Sequence, residues 1–199
     1  MNFLAHSLIS LEIDTQTKQQ TLYGNFAGDF YKGLVQHINL AENLKGGVVL
    51  HRLIDKISDR PDSLTTQLLQ GTFGRYKGIV SDIMIDHFLA KNSQRLFAKD
   101  LNEIQTQIFQ QIEQQRTIFP EQFVPMFNWL QSRKALTHYA DLDFLERVFA
   151  GMASRVKNGD ILHNAVNEIK ANYAVLEEAS IQEFFTVKER AIQAFNLAD

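Results

Sequence analysis

Apolar residues recur along this chain at steps of three and four, the spacing of one helix face, and strict alternation is absent. The plainest stretch runs Leu101, Ile104, Ile108, Ile112, with glutamines at 105, 107, 110, 111, 114 and 115 on the remaining surface. An apolar stripe backed by a polar face reads as a surface helix packed on a core. The same periodicity predicts helices over 3–11, 21–33, 40–57, 61–70, 75–92, 121–137, 142–156, 160–177 and 180–196. Capping chemistry supports several starts: Asp62 or Ser63 after Pro61, Asp141 before Leu142 and Asp160 before Ile161. Asn158-Gly159 marks a turn, and Thr15–Gln20 is the expected exposed, mobile loop.

Only three prolines interrupt the chain, and it carries no fixed-period repeat, charge block or Gly/Ser linker. The expectation is an all-α fold, a single-domain helical bundle spanning 1–199. Its 199 residues, 45% hydrophobic and 22% charged, suit one globular domain. A net charge of -3 gives no support to nucleic-acid binding. The N-terminus lacks the basic flank and cleavage site of a secretory leader, and no apolar run is long enough to span a bilayer. A cytoplasmic protein without a membrane role is expected. The chain has no cysteine, so disulfides and thiol chemistry are excluded and any metal must rest on His, Asp, Glu or Asn.

Three polar pairs break the apolar stripes. Asn25/Asp29, His51/Asp55 and Asp82/Asp86 each stand four apart within predicted helices, so each pair would share one face. In KGIVSDIMIDHFLA the apolar residues cover nearly the whole circumference, which buries Asp82 and Asp86 in part. A buried carboxylate without a partner costs several kcal/mol by rough desolvation arguments, so a cation is required nearby. Leu44, Val48, His51 and Asp55 continue a single inward stripe. Two readings stay open on these residues alone: a metal centre built from three helices, or three structural ion pairs. For a metal, Asp, Asn and His suit manganese or magnesium before iron or zinc. There is no HExxH of a zincin and no Glu-x-x-His of a di-iron bundle.

The strings around these pairs carry a resemblance. Met1-Asn2-Phe3-Leu4-Ala5-His6, Gly24-Asn25-Phe26-Ala27-Gly28-Asp29-Phe30, His51-Arg52-Leu53-Ile54-Asp55, Asp82-Ile83-Met84-Ile85-Asp86-His87-Phe88 and Gly151-Met152-Ala153-Ser154-Arg155 occur in order over residues 1 to about 155. In this the chain resembles the acyl carrier protein phosphodiesterases, regarded as distant relatives of the HD-domain metal phosphohydrolases. The resemblance implies an all-helical fold and Mn²⁺-dependent hydrolysis, with Mg²⁺ or Fe²⁺ as alternatives. The bond cut would be the phosphodiester joining 4′-phosphopantetheine to holo acyl carrier protein. His51 is separated from Asp55 and Asp86-His87 runs in reverse order, so HD ligand roles do not transfer residue by residue.

On that basis Asp29 and Asp86 are the expected central ligands, with Asn25, His51 and Asp55 completing or orienting the set. His6 would be a further ligand or a proton donor to the leaving serine, so Asp29, His6 and His51 form the expected catalytic group. Arg52 and Arg155 are the expected phosphate binders. An acidic carrier protein as partner calls for a basic rim, drawn from Lys56, Arg60, Arg75, Lys77, Arg133, Lys134 and Arg155. Two other functions fit the residues: an HD-like hydrolase of a nucleotide or small phosphoester, and a non-catalytic module that binds a carrier protein.

Overall fold

The computed structural model describes residues 1–196. The described residues are helical and contain no strand, as the periodicity predicts. The α-helices are α1 (Phe3–Gln16), α2 (Thr21–Phe26), α3 (Glu42–Ser58), α4 (Leu64–Phe73), α5 (Lys77–Lys91) and α6 (Ser93–Phe97). They continue with α7 (Leu101–Glu113), α8 (Phe123–Ser132), α9 (Ala135–His138), α10 (Leu142–Ala153), α11 (Ala165–Ala171) and α12 (Tyr173–Asn196). Short 3₁₀ turns link several of them.

The core is one continuous cluster. Leu4, Ile9 and Ile13 of α1 meet Leu50 and Ile54 of α3 and Met84, Phe88 and Leu89 of α5, all at most 1% exposed. A second aromatic layer of Phe26, Phe109, Phe123 and Phe127 packs mostly edge to face, the geometry that ring quadrupoles favour. α1 and α5 are apolar around most of their circumference, which matches their central position.

Two crossings shape the region that matters. α2 and α3 form the most extensive helix pair. A Cβ on Gly24 would lie 2.4 Å from Leu44 O, and one on Gly47 would lie 2.2 Å from Thr21 O, so both positions need a bare backbone. Arg60, expected in the basic rim, is instead an internal tie. Its guanidinium grips both oxygens of Glu183, which is 1% exposed, and joins the α3–α4 turn to α12.

Several predicted boundaries move. The helix expected over 21–33 ends at Phe26 and gives way to a 3₁₀ turn, Gly28–Phe30. α1 runs on to Gln16, into the segment expected to be a loop. The helix expected over 121–137 divides at Lys134, whose φ is +47°. The tail divides at Asn172, before α12, where a break nearer 178–179 was expected.

Candidate metal centre

His6 lies in the second turn of α1, and Ser10 follows one turn later on the same helix. Both face Asn25 of α2, which is fully buried. Asn25 Oδ1 is 2.7 Å from His6 Nδ1, and its Nδ2 donates to the His6 carbonyl and to Ser10 Oγ, each at 2.8 Å. From α3, His51 turns Nδ1 onto the backbone carbonyl of Asn25 at 2.8 Å. The two rings lie beside each other with centroids 4.6 Å apart.

Gly28 permits this approach. A Cβ there would fall 2.2 Å from His51 Cγ, so any other residue would push the imidazole out. Here lies the reason α2 stops short: the chain has to bend round the ring. As a result Asn25 and Asp29 do not stack on one face. Asn25 is buried, while Asp29 sits exposed on the 3₁₀ turn.

The free sides of the imidazoles converge on carboxylates. His6 Nε2 is 3.3 Å from Asp55 Oδ1, and His51 Nε2 is 3.2 Å from Asp55 Oδ2 and 3.6 Å from Asp29 Oδ1. Despite these distances, both buried Nε2 atoms lack a hydrogen-bond partner among the described residues. Asp29, His51 and Asp55 can each offer a ligand atom within 4.8 Å of the others, a spacing consistent with one divalent ion. Borderline imidazole nitrogen beside hard carboxylate oxygen is a donor set that fits first-row divalent metals.

Electrostatics make the same point. Burial is the largest single influence on His51 and opposes its charge, yet Asp29 and Asp55 together outweigh it and raise the pKa to about 9. Burial also acts upward on Asp55, but His51 and His6 hold it well below the usual carboxylate range. His6 is lowered, chiefly by burial. Without a metal, the site is a cluster of acids that retains a proton on His51.

These groups line a cavity of about 220 Å³ together with Met1, Asn2, Phe3, Asn25, Phe26, Ser58, Asp59 and Asp82. The lining holds four carboxylates, Asp29, Asp55, Asp59 and Asp82, and neither Lys nor Arg. Asp82 pairs with the Met1 ammonium at 2.6 Å. Asp59 was not foreseen, although it extends the His51, Asp55 stripe by one further step of four. Asn2, Phe3 and Ser58 gave no comparable signal.

Asp86 is the principal departure from the expected ligand set. It is fully buried and turns away from the cluster, accepting from Leu4 N at 2.7 Å and Ala5 N at 3.0 Å. These are amides of the first turn of α1, which no carbonyl within the helix can satisfy. Asp86 therefore caps α1 and fixes the helix that carries His6. Burial pushes its pKa up to about 7 against the pull of the two amides. Arg52 donates to Tyr31 O at 2.9 Å, bracing the loop that follows Asp29, and does not line the cavity. Arg155 is exposed after α10 and does not line it either. Arg75 contacts Lys157 O and Lys77 contacts Gln70 Oε1, while Lys56 remains exposed on α3 close to the site.

The fold and the site together define an all-helical protein in which Asp29, His51 and Asp55 form a triad consistent with a divalent metal, with His6 beside them. The chain belongs to the acyl carrier protein phosphodiesterase family, whose sequence model matches residues 1–187. An acyl carrier protein phosphodiesterase of Escherichia coli strain EC4115 is 31% identical over 182 residues, covering 89% of this chain and 90% of that protein. Another, from Escherichia coli strain SMS-3-5, is 30% identical over the same length and shares of the two chains. No solved structure matches the chain, and the expected likeness to HD phosphohydrolases finds no support among these comparisons.

Proposed function

We propose that this protein hydrolyses the phosphodiester of holo acyl carrier protein, releasing 4′-phosphopantetheine and the apo carrier, with Mn²⁺ at the histidine-carboxylate centre. The observation that carries the reading is the convergence of two buried Nε2 atoms, neither in hydrogen-bond geometry, on Asp55 and Asp29 in a cavity without Lys or Arg. The Met1 ammonium and protonated His51 offset two of the four carboxylates, and the negative charge left over would repel an anionic diester unless a further cation stood among them. His6, His51, Asp55 and Asp29 would hold that cation. Two imidazoles favour Mn²⁺ over Mg²⁺, which prefers an all-oxygen shell.

A bound divalent ion supplies Lewis acidity, neutralising phosphoryl oxygens and making water a competent nucleophile near neutral pH. The protein's own groups do the rest. Asp29, exposed at the rim, is the carboxylate best placed to accept a proton from incoming water. Ser58 stands on the last turn of α3, at the cavity wall, where its hydroxyl can orient the diester.

Cavity size supports a protein substrate. About 220 Å³ is below the 300 Å³ or so at which small-molecule pockets usually begin, so it takes the diester and leaves the carrier outside. Such an enzyme works in the cytoplasm beside its carrier protein. The test is mass spectrometry of holo carrier protein incubated with the purified enzyme and Mn²⁺. The expected result is a product lighter by the prosthetic group, abolished by chelator and restored by Mn²⁺. Unchanged holo carrier with Mn²⁺, Mg²⁺ and Fe²⁺ alike would overturn the reading.

A further inference from the structure

We infer that Asn25 is a positioning residue for both imidazoles, fixing the nitrogen that each presents to the centre. The inference rests on the metal-dependent reading above and assigns Asn25 a role outside the ligand set, where the sequence had placed it. An amide side chain can be built in two orientations, and its neighbours decide between them. Here the carbonyl of His6 can only accept, so Asn25 Nδ2 must face it, at 2.8 Å. The oxygen then faces His6 Nδ1 at 2.7 Å and can only accept from it. His6 Nδ1 must carry the proton, which leaves the Nε2 lone pair directed at the carboxylates.

The backbone of the same residue does this for His51. α2 ends at Phe26, so the Asn25 carbonyl lies in the last helical turn, where only the N–H of the Ala27 cap approaches it and a second lone pair is open to a partner from another helix. His51 Nδ1 supplies one at 2.8 Å. Ser10 Oγ holds the amide from the other side, also at 2.8 Å. A single residue with two carbonyls thus sets both rings, and the early end of α2 frees the second carbonyl to act. Aspartate would keep the acceptor toward His6 Nδ1 but lose the donor to the His6 carbonyl and Ser10.

The experiment combines ¹⁵N-histidine NMR of the metal-free protein with calorimetric titration of Mn²⁺ alone. Native protein should show His6 protonated at Nδ1. Asn25→Ala should release that preference while leaving the His51 Nδ1 proton bonded, and should weaken Mn²⁺ binding about 10- to 100-fold, the usual cost of losing a group that orients a ligand. Asn25→Asp should return His6 to the Nδ1-protonated form and bind Mn²⁺ more tightly than Asn25→Ala. Native His6 protonated at Nε2 would overturn the inference, as would a natively folded Asn25→Ala protein that binds Mn²⁺ within twofold of native. Should Asn25→Ala fail to fold, the native tautomer and Asn25→Asp decide. Native protein that binds no Mn²⁺ would sink the functional reading instead, and the tautomer result would still decide this one.

Discussion

The Nε2 atom of His6 stands 3.3 Å from Oδ1 of Asp55, yet the two form no hydrogen bond. The other oxygen of Asp55 stands in the same relation to His51 at 3.2 Å. The lone pair of a neutral His6 repels the carboxylate it faces unless a cation lies between them, whereas protonated His51 is held by the same carboxylate, so Asp55 is the group on which the centre turns.

Replacing Asp55 with Asn keeps its size and removes one negative charge from between the two rings. Affinity for Mn²⁺ should fall by at least about 100-fold, since the loss of a direct ligand exceeds the 10- to 100-fold typical of its supports. Turnover of holo carrier protein should fall with it. Calorimetry and a mass-resolved assay check both, and an Asp55→Asn protein with native Mn²⁺ affinity would remove Asp55 from the ligand set.

Metal binding should release a proton. His51 has its pKa raised to about 9, so at pH 7 the metal-free protein holds it as imidazolium, and a ligand must be neutral. Apparent Mn²⁺ affinity should therefore rise about tenfold per pH unit from 6.5 to 8.5, the slope of one proton displaced. For stability the sign is opposite. A raised folded-state pKa stabilises the metal-free protein fully below about 6.5, and that contribution is lost as pH rises through about 9. Titration in buffers of different ionisation enthalpy counts the proton; a count of zero at pH 7 would contradict the placement of His51.

Much of this was legible in the chain before folding. A helical period of apolar residues was enough for the all-α class, and the His51, Asp55 stripe survives intact because α3 is a regular helix through both. The other two pairs changed meaning. Asn25 and Asp29 were read as one face of one helix, but Gly28 has to clear the His51 ring, a contact between residues 23 apart that no local period encodes. Asp82 and Asp86 signalled a buried need for positive partners, and that need was real. Its answer, the start of α1, was invisible because helix-end amides leave no mark on composition. The basic residues were least legible, since Arg60 and any surface arginine look alike until Glu183 is seen beside one of them.

Gly28→Ala tests the steric argument. Its methyl would enter the His51 ring at 2.2 Å, and overpacking of this kind costs about 1–3 kcal/mol. The ring is held by one bond to the Asn25 carbonyl, so it should move before the helices do. Thermal denaturation should show a modest loss of stability and calorimetry a larger loss of Mn²⁺ affinity. A variant that binds Mn²⁺ as well as native would mean that the ring does not need this space.

Asp86→Asn separates a cap from a ligand. With the carboxyl raised from 3.8 to about 7 by burial, the folded protein binds a proton that the unfolded chain has already lost between those values. The native state is accordingly destabilised as pH rises from about 4 to about 7, by roughly 4 kcal/mol for a shift of this size, and the effect levels off above. Asn cannot titrate, so the variant should lose this slope. It still presents one acceptor oxygen to Leu4 and Ala5 but sets an NH₂ against the other amide, which leaves α1 less firmly capped. His6, one turn along, should remain within reach of its partners, and Mn²⁺ affinity should stay within about threefold of native because a cap acts on the helix and not on the ion. Chemical denaturation across pH 4–8 and Mn²⁺ titration at pH 7.5 give the two readings. A collapse of metal binding with an unaltered pH slope would return Asp86 to the centre as a ligand.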